Sequence, residues 1–305
     1  MNISDLSRKQ WTLGHAESRD SSLSSSIYFK LPRQVALGTM HGKEAALSPS
    51  FADIDVHLAV PRDLNTDRFG TFTSEVKRAG TILDAARAKA KAAAALSGLP
   101  IGIASEGSYS PHPFIPLIPI GRELILWLDI RSGVEIVDMI IDESPNFAHI
   151  DVEDVNEADK FLNSIEYPQY ALIVSVVGTD VVTAKGIRDA AALSEAVITA
   201  VTQSPCSLAR IQTDMRAHMN PRRMSVIAKL GKRFVKRLMT ACPQCDHPGW
   251  GWVGTAAGLC CSECNSQTQL PSHDVMGCAA CGHEQLVERS NGERASPTFC
   301  SACNP

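Results

Sequence analysis

Residues 81–105 read TILDAARAKAKAAAALSGLPIGIAS, and the fold class turns on them. The run 81–97 is dense in alanine, offers Thr81 as an N-cap with Asp84 in the first turn, and stops at Gly98 before Pro100, which predicts a helix. The apolar run 100–105 that follows is of strand length, so a helix feeds a strand directly. Working outward, further strand-length runs lie at 34–40 (QVALGTM), 54–60 (IDVHLAV), 123–130 (ELILWLDI), 134–141 (VEIVDMII) and 171–177 (ALIVSVV). Helical periodicity occupies 43–52, 188–203 and 222–239. This alternation predicts an α/β domain whose strands share one mixed sheet with flanking helices.

The chain has 305 residues, 44% of them hydrophobic and 20% charged, an ordinary globular composition with room for about two domains. Lys plus Arg is 29 against 33 Asp plus Glu, so the net charge of −4 gives no whole-chain reason for a nucleic-acid or membrane partner. Residues 1–30, rich in serine, read as a flexible leader without the apolar core of a signal peptide. The most apolar stretch, 114–130, is interrupted by Pro116, Pro119, Gly121, Arg122 and Glu123 and cannot supply a membrane span. A soluble cytoplasmic protein is expected, with an α/β domain over 31–240 and a cysteine-rich domain over 241–305.

Of ten cysteines, nine fall between Cys242 and Cys303. Eight form CxxC pairs: Cys242 with Cys245, Cys261 with Cys264, Cys278 with Cys281, and Cys300 with Cys303. Each half matches the spacing of a four-cysteine ribbon, so the expectation is two closed, structural zinc sites, with the first pair joined to the second and the third to the fourth. An interleaved pairing stays open, as does iron, because CPQC at 242–245 also resembles a rubredoxin knuckle. Cys260 could replace Cys261 as a ligand, and Cys206 reads as a buried thiol. The tail carries six acids, only Arg289 and Arg294 as bases and no lysine, which makes it a poor phosphate-backbone binder. It reads instead as a stabiliser or a protein-contact surface.

Three polar clusters follow the first strands: Thr39 to Glu44, Asn65 to Thr71, and Ser105 to Pro113. Parallel strands would open all three at one edge, where α/β sheets place ligands. Lys43 suits phosphate, while Glu44, Asp67 and Glu106 are oxygen donors suited to Mg2+ or Mn2+. His41, Arg68, Ser105, Ser108 and His112 are candidate ligand contacts. A fourth cluster, Asp214, Arg216, His218, Arg222 and Arg223, precedes or opens a helix starting near Pro221 and suits an anion. It lies in a run, 208–240, with nine basic residues against the single acid Asp214. Both groups of clusters also admit a plainer reading, as surface turns and as arginines paired with acids.

The order strand, GK turn with a following acid, helix TILDAARAKA, and strand ending ASEGS resembles the inosine triphosphate pyrophosphatase superfamily of nucleotide hydrolases over about residues 34–112. Thr81, Asp84, Ala86, Lys89 and Ala90 fall on that family's helix motif, Lys43 on its turn lysine, and Ser105-Glu106 on its paired acids. Ser105 replaces the first acid and His41 the turn asparagine. The resemblance implies a metal-dependent pyrophosphatase acting on a nucleoside triphosphate, and often a homodimer. Over nearly its full length the chain also resembles an uncharacterised bacterial family joining such a half to a cysteine-rich tail. That likeness runs through TMHGKE (39–44), TDRFGTFT (66–73), ASEGSYSPHP (104–113), NFAH (146–149), TDMRAHMNPRRM (213–224) and the CxxC pairs. Three functions compete: a Mg2+-dependent nucleotide hydrolase, a phospholigand binder without turnover, and a ribbon that docks a protein partner.

Overall fold

The computed structural model describes residues 31–70, 76, 78–112, 115–289 and 292–305. The leader expected over 1–30, and Thr71 and Pro113 of the polar clusters, lie outside the described residues. Pro32–Val235 forms one compact unit, and the chain from Lys236 onward belongs to another.

The first unit opens with β1 (Gln34–Gly38), α1 (Glu44–Ala52), β2 (His57–Ala59), α2 (Ile82–Ser97) and β3 (Ile101–Pro111). It continues through β4 (Pro119–Asp129) and β5 (Glu135–Asp142). These five strands make a mixed sheet ordered β2-β1-β3-β4-β5, in which β1, β2 and β3 are parallel and β4 and β5 antiparallel. The α2 signals act as the sequence predicts: the Thr81 hydroxyl accepts from the Asp84 N–H, the Asp84 carboxylate accepts from the Thr81 N–H, and Gly98 closes the helix in the left-handed region (φ 62°). Such a cap stabilises by about 1 kcal/mol. The alanines of α2 have a packing reason as well. The helix lies so close on β3 that a Cβ on Gly102 would fall 2.1 Å from the Ala90 carbonyl oxygen, and Ala86, Ala90, Ala93 and Ala94 are buried there.

Even-numbered residues of β3 and β4 face α2: Ala104, Leu124, Leu126 and Leu128 pack with Ala86 and Ala90. The opposite face is covered by α1 and by α5 (Pro221–Leu238), which meet through Phe51 and Phe234, with ring centroids 6.3 Å apart. The expected apolar stripe of α5 is real, since Ile227, Leu230, Phe234 and Leu238 are all buried.

Two expectations need correction. The run 171–177 does not join the first sheet. It forms β7 (Leu172–Val176) in a second, antiparallel sheet ordered β6-β9-β7-β8, with β6 (His149–Val152), β8 (Val182–Ile187) and β9 (Ala209–Thr213). Those three partners (HIDV, VTAKGI, ARIQT) alternate apolar and polar residues over only four to six positions, too faint a signal beside the continuous run of β7. The expected helix near 188–203 is α4 (Ala190–Gln203), which covers this sheet with Leu193, Ala196, Val197 and Ala200.

The second correction concerns the cluster from Ser105 onward, read as a turn. Ser105 to Pro111 continue β3, because β4 pairs with it residue for residue to Pro111↔Pro119. Strand β1 stops earlier, its last partner pair being Gly38↔Ala104. From Ser105 onward β3 therefore lacks its parallel neighbour, and the turn after β1 closes on it instead.

Beyond Lys236 the chain forms an antiparallel sheet of β10 (Gly251–Ala257), β11 (Pro271–Gly277) and β12 (Glu284–Glu288). Among the described residues no helix is long and apolar enough to cross a membrane.

Candidate functional site

The turn after β1 carries Lys43 to the place where β1 ends beside β3, and its ammonium donates to the Ser105 carbonyl. Lys43 is 6% exposed. Among the described residues that carbonyl is the single hydrogen-bond partner of its three N–H donors. The Ser105 hydroxyl is also buried and has no partner among them. Burial pulls the Lys43 ammonium down to about 8, against the attraction of Glu106.

On the α2 face, Glu106 meets Lys89, whose Nζ lies 2.5 Å from Oε1, and Arg78, whose Nη2 lies 3.7 Å from Oε2. Arg78 also donates to the Gly107 carbonyl at 2.9 Å. Burial pushes the Glu106 carboxyl up, yet Lys43, Lys89 and Arg78 outweigh it and hold the group below the ordinary carboxylate range.

On the α5 face, Glu123 accepts from Arg223 Nε at 2.5 Å and from the Tyr109 hydroxyl at 2.5 Å. Arg223 also donates to the Met215 carbonyl. Its guanidinium carbon stands 5.5 Å from the Tyr109 ring centroid. Arg223 and Glu123 side chains are each 1% exposed. Gly107 makes this crossing possible, since a Cβ there would fall 2.4 Å from Arg223 Nη2 and 2.6 Å from Glu123 Oε1. Burial and the Glu123 charge raise the Tyr109 hydroxyl, which stays a neutral donor. One short segment of β3 thus gathers four cations, Lys43, Lys89, Arg78 and Arg223, around two carboxylates, Glu106 and Glu123.

The loop after β9 reaches the same turn. His41 and His218 stack with ring centroids 5.4 Å apart and an interplanar angle of 15°. His41 Nε2 lies 3.1 Å from Asp67 Oδ1, as donor to that carboxylate. Gly42, at φ 70°, brings the backbone to His218, whose Cβ would be 3.6 Å from a Cβ added to the glycine. Asp214 is held bidentately by Arg216, with Nη2 to Oδ2 at 2.6 Å. Asn220 Oδ1 accepts from the Arg223 N–H at 3.0 Å, capping α5 at the expected place.

The structure therefore brings His41, Lys43, Asp67, Ser105, Glu106, Asp214, Arg216, His218 and Arg223 to adjoining turns and strand ends of one unit. Other candidates stand apart. His112 lies at the far tip of the β3–β4 arm, where Nδ1 accepts from the Ile115 N–H. Arg222 pairs with Asp142, Nη2 to Oδ1 at 2.6 Å, and Arg68 stacks on Phe69 at 4.6 Å. Glu44 and Ser108 are half-buried. Arg78, Tyr109 and Glu123 were not expected. Glu123 opens the apolar run ELILWLDI, and a carboxylate at the head of a buried strand was the available signal.

The carboxylates do not fit a divalent cation. Among the described residues, the groups of three or more His, Cys, Asp or Glu able to hold a metal ion are two cysteine sets. Glu106 is engaged by two cations and Asp67 by a histidine. The arginines of the basic run on α5 are paired too: Arg233 holds Asp138 at 2.7 Å, and Arg237 donates to the Gly249 and Trp252 carbonyls.

The cysteine sets are Cys242, Cys245, Cys278 and Cys281, and Cys261, Cys264, Cys300 and Cys303, the ligand atoms of each lying within 4.8 Å of one another. The pairing is interleaved, against the local pairing expected. Strand order dictates this. The first knuckle precedes β10 and the third follows β11, and antiparallel pairing of Gly251 with Gly277 sets them side by side. The second knuckle lies between β10 and β11. The fourth follows β12, whose last residue pairs with His273 near the start of β11, so these two share the other end. Cys260 is outside both sets, with its thiol toward the Gly258 carbonyl. Cys206, expected as buried, is exposed and sits 3.3 Å from the Ser204 hydroxyl. Four thiolates per set suit a closed tetrahedral metal such as zinc.

No curated protein and no solved structure matches the chain. Residues 89–305, more than two-thirds of the chain, match a family profile described as a domain of unknown function. The match takes in Lys89, Ser105, Glu106, Glu123, His218, Arg223 and all eight paired cysteines, and starts within α2. The chain belongs to this family, the domain of unknown function DUF6671.

Proposed function

We propose that the edge formed by the turn after β1 and the middle of β3 binds a small phosphate-bearing ligand, with nucleotides among the candidates. The observation that carries this reading is Lys43. A buried ammonium with donors to spare among the described residues, beside a buried serine hydroxyl lacking a partner among them, is poised for an anionic oxygen. Among the described residues around β3 the cations, three of them buried, outnumber the carboxylates four to two, which leaves positive charge for a ligand to neutralise. The cysteine sets are read as structural zinc sites that hold the small β10–β12 sheet together.

Mg2+-dependent nucleotide hydrolysis is not part of the proposal, because Glu106 is engaged by Lys89 and Arg78 and belongs to no group of three or more metal-ligating side chains among the described residues. The test is thermal stabilisation of the full chain by inorganic phosphate, pyrophosphate and nucleoside mono- and triphosphates, with product release followed in the same panel. Stabilisation that disappears in Lys43→Gln is expected. Equal responses of both proteins would end the reading.

A further inference from the structure

We propose that His41 and His218 make a second contact to the bound anion, across Gly42 from Lys43, and that the pair takes up a proton as the anion binds. The inference rests on the reading of this edge as an anion site and adds residues to it.

His41 and Lys43 flank Gly42, and His218 stands against that glycine, so both imidazoles lie at the turn that carries the ammonium. His41 already uses Nε2 as donor to Asp67. The His218 ring N–H donates to the His41 backbone carbonyl. A neutral imidazole has one N–H and one lone pair. With the N–H committed, the other nitrogen offers a lone pair, which repels an anionic oxygen. Contact with an anion lacking its own proton therefore requires a proton from solvent on that second nitrogen.

The surroundings disfavour the charged form of both rings in the free protein. His41 is lowered first by burial, against Asp67, and further by His218 and Lys43. His218 is lowered by burial and by Arg216, against Asp214, with Arg188 from the turn before α4 adding to the effect. Two of these neighbours are already engaged. Arg216 is held by Asp214, and Arg188 donates to the Pro168 and Gln169 carbonyls at 2.9 and 2.6 Å. Two stacked imidazolium rings would repel each other, and an anion beside them relieves that repulsion.

Sulfate is the probe, since it keeps its double charge across the range and any pH dependence then belongs to the protein. Calorimetric titration of the full chain at constant ionic strength, from about pH 7.5 down to about pH 5.5, stays below the Lys43 transition and spans that of ordinary imidazoles. Affinity is expected to rise as pH falls, about tenfold for each unit by which sulfate raises an imidazole. Net proton uptake should appear as a dependence of the heat on the buffer's ionisation enthalpy. His41→Asn and His218→Asn should each reduce both effects. In the wild type, sulfate should also move the titrations of two histidine C–H resonances upward, a measurement independent of whether the variants fold. Lys43-dependent sulfate binding with flat affinity, no proton uptake and unmoved histidine titrations would overturn the second contact and leave the Lys43 reading standing. No sulfate binding at any pH would remove both.

Discussion

Replacing Lys43 by methionine should make the ligand-free protein more stable and at the same time unable to bind its anion. The Lys43 ammonium is buried and titrates near 8 rather than near the ordinary 10.5, because burial disfavours its charge more than Glu106 favours it. At 1.36 kcal/mol per unit, the folded protein carries the charged form at a cost of about 3 kcal/mol relative to the unfolded chain. The sign is fixed by proton counting. Between about pH 8 and 10.5 the unfolded chain keeps the lysine proton that the folded protein has released, so this contribution to stability rises with pH in that window. Below about 8 both states hold the proton and the whole penalty stands. Methionine keeps the aliphatic stem, removes the charge and leaves Glu106 with Lys89 and Arg78. Urea unfolding at neutral pH should therefore show Lys43→Met more stable by about 1–3 kcal/mol, and the wild type should gain on the variant between about pH 8 and 10.5. Sulfate should stabilise the wild type only. A destabilised variant, or parallel pH profiles for the two proteins, would refute the account of Lys43 as a charge held for a ligand.

Arg223→Met leaves Glu123 charged, buried and without its guanidinium, and should cost about 3–5 kcal/mol in urea unfolding; Arg223→Met with Glu123→Leu should recover most of that, and a single substitution costing under about 1 kcal/mol would show the pair to be dispensable. Gly107→Ala forces a Cβ against both partners of the same pair and should destabilise by about 1–3 kcal/mol on the same measurement, an effect that shrinks in the Arg223→Met background. In the tail, Cys242→Ser should leave the Cys278 and Cys281 thiols open to alkylation while Cys261, Cys264, Cys300 and Cys303 remain protected by metal; protection of the third pair together with exposure of the second would restore the local pairing.

What the sequence made legible was local. The capping box and terminal glycine of α2, the strand runs of the first sheet and the CxxC knuckles each depend on residues a few positions apart, and each appears where its spacing places it. What stayed hidden needed partners from afar. The Arg223–Glu123 pair joins residues one hundred positions apart, and the His41–His218 stack joins two turns that read separately as surface polarity. The metal pairing stays hidden for the same reason: ribbon spacing is a local rule, whereas the antiparallel order of β10, β11 and β12 decides which knuckles share an end. The second sheet escaped because three of its four strands are short and half polar, each depending on its neighbours for a core.

The place where these distant groups meet has a cause in the backbone. Strand β3 continues past the end of β1, so from Ser105 onward one side of it is free of a parallel neighbour, and consecutive residues still point to opposite faces. Glu106 looks toward α2 and its cations, while Gly107 leaves room on the other face for Arg223 to cross to Glu123. Stability alone gives no reason to keep such an arrangement. Ion pairs replaced by well-packed apolar residues are often no less stable, and Lys43, with most of its donors unused among the described residues, is a cost in the free protein. An anion seated against Lys43 and Ser105 changes that balance: the ammonium gains the partner that burial denied it, and the excess positive charge around β3 is neutralised. Its binding would then be linked to the folding of the unit, which is why ligand-dependent stability reads this site more directly than a search for turnover.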